Sequence, residues 1–143
     1  MVEWIIGIIL AVLTLYLARK NRLEGWLYTA PLFALPSIYM AFALFADGSG
    51  VILNEFLFGI PFFIAGAVFL KWKIKYSALM LALLWLGHGY YDIDHNRFFI
   101  NSGTPQWYPL LCAGYDGVMG IYLIYFASTL KDGNLLHYRG ANQ

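Results

Sequence analysis

Five apolar stretches, each near the length of a bilayer-spanning helix, are set apart by short charged or glycine-rich breaks. A spanning helix needs about 20 mostly apolar residues. The stretches run over residues 2–18, 26–46, 50–70, 76–95 and 107–130. Helices satisfy their own backbone hydrogen bonds in lipid, whereas open strands do not, so the many Ile, Val, Tyr and Phe do not argue for sheet. The expectation is an all-α polytopic membrane bundle of five transmembrane helices, a single domain over residues 1–143, with a polar tail over 131–143. Charged residues are 12 % of the chain, about half of the roughly 25 % of a soluble domain. That excludes disorder and coiled coil, and a net charge of +1 leaves no field to draw a nucleic acid. Cys112 is the lone cysteine, so neither an internal disulfide nor a thiolate cage can form. The start, Met1-Val2-Glu3-Trp4, lacks the cationic segment and cleavage site of a signal peptide. The first stretch is therefore expected to stay as a span.

Loop charge predicts the orientation. Arg19, Lys20 and Arg22 follow the first stretch, Lys71, Lys73 and Lys75 the third, and Lys131 and Arg139 the fifth. The break Asp47-Gly48-Ser49-Gly50 has no Lys or Arg, and the break after the fourth stretch has only Arg97. Basic and non-basic ends alternate, as an odd number of spans requires. This places the N-terminus outside and the C-terminus in the cytoplasm, in the cell's inner (cytoplasmic) membrane. Trp4, Trp26, Trp72, Trp107 and Tyr108 fall at span ends, as interfacial belts do. Pro31 and Pro36 lie in the second stretch and Pro61 in the third. Each removes a backbone donor and bends its helix, which serves either ordinary packing or a cavity between bent helices. Gly114, Gly117 and Gly120 in the fifth stretch permit close helix contact.

Ionisable side chains within spans are costly and face the bundle interior or a wet cavity. Here they are Glu55 in the third span, His88, Asp92, Asp94 and His95 in the fourth, and Asp116 in the fifth. The predicted orientation puts all three spans' groups in the outer half of the membrane. His88, Asp92 and His95 are spaced i, i+4, i+7, about 0°, +40° and −20° around a helix at 100° per residue. Asp94 lies about 120° from His88 and faces the loop, and Arg97 stands nearly opposite His88. Imidazole and carboxylate together suit Zn, Fe or Mn better than Ca or Mg. The expected metal ligands are His88, Asp92, His95, Asp116 and Glu55, with a carboxylate among Glu55, Asp92 and Asp116 left as the catalytic base. Each residue alone has an ordinary explanation: an interfacial histidine, a helix-capping Glu55, an Asp116 bonded to a neighbouring hydroxyl. Buried carboxylates nevertheless need compensation, from a metal, from protons or from an inward-folded Arg97. Tyr90, Tyr91, Tyr115 and Trp85 lie near enough in sequence to shape the surrounding pocket.

The run His88-Gly-Tyr-Tyr-Asp92-Ile-Asp-His95 is followed by Gly103-Thr-Pro105-Gln-Trp107-Tyr-Pro109, then by Cys112 and Asp116. With Glu55 upstream, this resembles a family of small bacterial integral membrane proteins of unknown function. That family's pattern is His-x3-Asp-x2-His, a Pro-x-Trp loop and Cys-x3-Asp. The resemblance marks Glu55, His88, Asp92, His95, Trp107, Cys112 and Asp116. This chain carries Tyr91 and Asn96 where the pattern has Trp and a further His. The resemblance implies a site and no particular reaction. The order His88, Asp92, Asp116 is also similar to sterol-isomerase-type membrane proteins, with His-x3-Glu in one helix and an acid in the next.

The expected function is that of a metal-dependent membrane enzyme, a hydrolase or isomerase, acting on a lipid or other apolar substrate from the outer leaflet. The alternatives are a metal-free acid–base lipid isomerase, a proton or divalent-cation transporter, and a non-catalytic subunit of a larger membrane complex. Membrane lipid is the expected partner, with a second copy or a membrane complex as the expected assembly and no nucleic acid.

Overall fold

A computed structural model describes residues 2–71 and 76–130. Trp72, Lys73, Lys75 and the polar tail over 131–143 lie outside the described residues. The elements are α1 (Val2–Lys20), α2 (Glu24–Leu27), α3 (Pro31–Ala43), α4 (Val51–Lys71), α5 (Ser77–Phe98) and α6 (Tyr108–Thr129). No strand occurs among the described residues. α2 and α3 follow one another as a single apolar span, Glu24–Ala43, so the fold is an all-α bundle of five helical segments. Four of them, Val2–Lys20, Glu24–Ala43, Val51–Phe69 and Tyr108–Thr129, are long and apolar enough to cross a membrane. α5 has 22 residues, ample length, but its second half carries the ionisable groups. The chain is thus built as a multi-pass membrane protein.

The second stretch departs from an unbroken 26–46 helix. Pro31 has no N–H, and the Leu32 N–H turns back to the Thr29 carbonyl at 3.1 Å. The Tyr28 carbonyl, passed over by the helix, accepts the buried Trp85 indole N–H at 3.0 Å. One side chain of α5 thereby repairs the backbone defect of another helix. At the far end α3 stops at Ala43, and the Phe45 N–H closes a tighter turn onto the Phe42 carbonyl at 2.9 Å. The turn that follows uses Gly48 and Gly50 at φ of 128° and 94°, where other residues would be strained.

The helices assemble as two groups. α6 lies between α1 and α5 and packs along both, while α3 and α4 form a hairpin; α4 meets α5 at only a few positions. Close approach explains the first group. Gly7 of α1 faces the Leu111 carbonyl of α6, and a Cβ on Gly114 would sit 2.7 Å from the Trp4 carbonyl. Gly120 admits Leu86 of α5, whereas Gly117 has nothing within 4 Å and takes no part in the contact. In the hairpin, Gly59 meets Pro36 and Gly66 meets the Phe33 ring. Trp85, Tyr28, Tyr39, Leu32, Leu81, Met119 and Leu123 fill the core. Ile5, Ile9 and Val12 of α1 stay exposed, a surface suited to hydrocarbon rather than water.

Candidate functional site

α5 supplies the site's spine. His88, Asp92 and His95 are all buried, along the one face that their spacing predicts. Asp94 turns away from that face and pairs with Arg97 at 3.3 Å, with the Arg97 side chain 81 % exposed. Arg97 is therefore no counter-charge for the buried acids.

His88 gathers two carboxylates. Its Nδ1 lies 2.8 Å from Asp116 Oδ2 on α6 and 3.3 Å from Asp92 Oδ2 one turn along α5. The hydrogen bond goes to Asp116. Asp92 Oδ1 accepts the Tyr39 hydroxyl at 2.7 Å. That leaves Asp92 Oδ2 and Asp116 Oδ1 buried with no hydrogen-bond partner among the described residues. Gly89 is what lets α6 come this near, since a Cβ there would lie 3.1 Å from the Asp116 Cβ.

Glu55 gathers a separate set. Its Oε1 accepts from Asn101 Nδ2 at 2.7 Å and lies 3.0 Å from His95 Nε2, and its Oε2 accepts the Tyr91 hydroxyl at 2.9 Å. Asn101 also donates to the Tyr39 carbonyl at 3.2 Å. His95 Nδ1 is buried without a hydrogen-bond partner among the described residues. Tyr39 joins the two sets: its hydroxyl holds Asp92 while its ring stacks on His95, 4.7 Å between centroids and 14° between planes. Between the sets lies a cavity of about 10 Å³ lined by Tyr39, Glu55, Phe62, His88 and Tyr91, room for about one water.

The five sequence-predicted residues thus come together in two neighbouring constellations. His88, Asp92 and Asp116 form the group with metal-ligand geometry, their ligand atoms all within 4.8 Å of one another. Glu55 and His95 pair with each other. The cause is height along the helix: His95 is seven residues from His88, a rise of about 10 Å, so one stripe of α5 serves two levels. Of the other residues marked by the family resemblance, Cys112 is buried outside the metal-capable group and Trp107 is exposed at the start of α6. Tyr39 and Asn101 were not legible as site residues. Tyr39 is one aromatic among many, and Asn101 sits in an ordinary polar loop; neither carries a spacing signal.

Formal charge states the demand on the site. With both histidines protonated, Glu55 and His95 cancel, while Asp92 and Asp116 still outnumber His88 by one charge. A buried unpaired charge is prohibitively costly, so the His88 group needs either a cation or additional protons. Compared with protein-family models, with curated proteins and with solved structures, the chain gives no match.

Proposed function

We propose that the protein is a membrane-embedded enzyme of the cytoplasmic membrane that holds a divalent metal at His88, Asp92 and Asp116 and acts on a lipid or other apolar substrate, with Glu55 as general base. The observation that carries this reading is the buried group itself. One imidazole and two carboxylates converge within 4.8 Å, and two of the carboxylate oxygens lack hydrogen-bond partners among the described residues. A neutral imidazole with two carboxylates balances a divalent cation, and this donor set suits Zn, Fe or Mn. Three protein ligands leave coordination positions open, as catalytic sites do. When bound, the metal supplies Lewis acidity toward an oxygen of water or substrate.

The chain's own residues do the remaining work. Glu55 and His88 both border the small cavity, so a group held there lies within reach of the Glu55 carboxylate, which accepts its proton. Tyr91, Asn101 and His95 fix that carboxylate in place. Tyr39 fixes Asp92, and Phe58 and Phe62 line the cavity with apolar surface. His88 and Asp92 occupy the His-x3-Asp positions, and Asp116 the acidic position of Cys-x3-Asp, in the pattern of the bacterial membrane family that the sequence resembles, and membership of that family is part of this proposal.

Elemental analysis of the purified protein tests the reading. About one Zn, Fe or Mn per chain is expected, falling below a tenth in His88→Ala and Asp116→Asn. Protein that is metal-free as purified, takes up none of the three ions and melts at the same temperature with and without chelator overturns it. The 2.8 Å His88–Asp116 hydrogen bond favours one second reading, a metal-free isomerase in which one buried acid donates and another accepts a proton. That reading expects the metal-free outcome together with activity on a double bond.

A further inference from the structure

The two constellations of the candidate site meet at a cavity that neither of them fills. Its volume is about 10 Å³, at the threshold of roughly 10–15 Å³ at which a cavity admits one water. Tyr39 lines it from α3, Glu55, Phe58 and Phe62 from α4, and His88 and Tyr91 from α5. Cavities stay dry when their walls are apolar. This one has a carboxylate, an imidazole and two phenols in its wall, all on buried side chains.

His88 shows how the cavity is used. Its Nδ1 is committed to Asp116 at 2.8 Å, with Asp92 at 3.3 Å. Its Nε2 makes no hydrogen bond among the described residues. Phe62, Tyr91 and Tyr39 surround the ring, with centroids 4.9, 6.0 and 6.3 Å away, and all three also line the cavity. Nε2 is therefore the nitrogen that His88 turns toward it. The hydroxyl hydrogens of Tyr39 and Tyr91 are already given to Asp92 and Glu55, but their oxygens still accept. Glu55 Oε2 takes one bond, from Tyr91, and a carboxylate oxygen has room for a second.

Both tautomers of His88 make the same demand. With a metal on Nδ1, the ring proton sits on Nε2 and needs an acceptor, which for metal-holding histidines is a carboxylate, a carbonyl or a water. Without a metal, Nδ1–H donates to Asp116 and Nε2 is a bare acceptor in need of a donor. An ionised Glu55 only accepts, so it does not serve the second state. A water serves both: it accepts from Nε2 or donates to it, and in either state it donates to Glu55 Oε2.

We propose that the cavity is a binding site for one water molecule, which bridges His88 Nε2 to the Glu55 carboxylate and joins the two constellations into one proton-sharing unit. The proposal deepens the enzyme reading and rests on it only for the metal. Glu55 becomes the carboxylate partner of the metal-holding histidine at one remove, and this water is the first group whose proton it accepts.

The full chain, crystallised from a lipid phase to a resolution that shows ordered waters, tests the site, with anomalous scattering at the Zn, Fe and Mn edges recorded from the same crystals. One peak is expected within about 2.6–3.2 Å of both His88 Nε2 and a Glu55 oxygen. In bilayers, solid-state magnetic resonance on chain with isotope-labelled histidine is expected to show magnetisation passing from water protons to His88 Nε2. Phe62→Trp, whose larger ring takes up the cavity, is expected to remove the peak and to cut that transfer several-fold. Phe58→Trp is the second filling variant and decides in the same way if Phe62→Trp does not fold. A dry cavity in the unaltered chain, a direct bond from Nε2 to a protein group, or undiminished transfer in a folded filling variant overturns the proposal. A water peak in crystals without a metal signal leaves the proposal standing and brings down the metal reading; a metal signal beside a dry cavity does the reverse.

Discussion

Tyr39 does more for the site than any residue outside the five ionisable groups. Its hydroxyl is the hydrogen-bond donor to Asp92 Oδ1, its ring covers His95, and its carbonyl receives Asn101. Removing the hydroxyl leaves a buried carboxylate oxygen unsatisfied, which costs about 1–3 kcal/mol. Tyr39→Phe is therefore expected to lower the unfolding midpoint in detergent by a corresponding amount while keeping the helical far-ultraviolet signal. An unchanged midpoint contradicts this role. At this scale the sequence is partly transparent. Angular spacing on a helix showed that His88, Asp92 and His95 share a face, and that Asp94 does not. It could not show that His95 stands one level apart from His88, because an angle carries no information on which partner helix reaches which height. That information lies in the crossing of α4 and α6 over α5.

Among the helices, contact is set by where the backbone can approach. The α1–α6 interface depends on Gly7 and Gly114, each against a carbonyl of the opposite helix. Gly7→Leu forces a side chain into the Leu111 carbonyl and is expected to cost about 1–3 kcal/mol or more, seen as loss of monodisperse protein on size exclusion and a lower melting temperature. Gly117→Ala meets open space and is expected to be neutral or to stabilise by up to about 1 kcal/mol, since alanine is the better helix former. The glycine run was legible in the sequence as a contact stripe, but only neighbouring coordinates separate the glycines that touch from the one that does not. The same holds for the second stretch. Hydropathy made it one span; the missing N–H of Pro31 divided it, and the Trp85 indole that compensates comes from 57 positions beyond the Tyr28 carbonyl it reaches.

For the whole molecule, hydropathy alone specified the bundle, because in lipid a helix is the one open structure with no unsatisfied backbone. The expected orientation, N-terminus outside, rests on the alternation of Lys and Arg along the sequence. Fusion of alkaline phosphatase and of green fluorescent protein after Ser49 and after Gln143 checks it. Phosphatase activity is expected at the first junction and fluorescence at the second. The reverse pattern moves the site to the cytoplasmic leaflet without altering its internal geometry. α5 is absent from the four helices apolar enough to cross a membrane, since the ionisable groups of its second half depress its hydropathy.

That deficit bears on how the chain is made. An aspartate at the middle of a nascent helix adds about 2.5–3.5 kcal/mol to its partitioning at the translocon, and less toward the ends; α5 carries Asp92 in its second half, one turn beyond the central His88. The segment's partners for those groups come from both directions: Tyr39 has already been synthesised, while Asp116 has not yet left the ribosome. Insertion of α5 is thus a collective event, completed when α6 arrives, and the order of residues along the chain makes α6, the last of the described helices, the one that commits α5 to the bilayer.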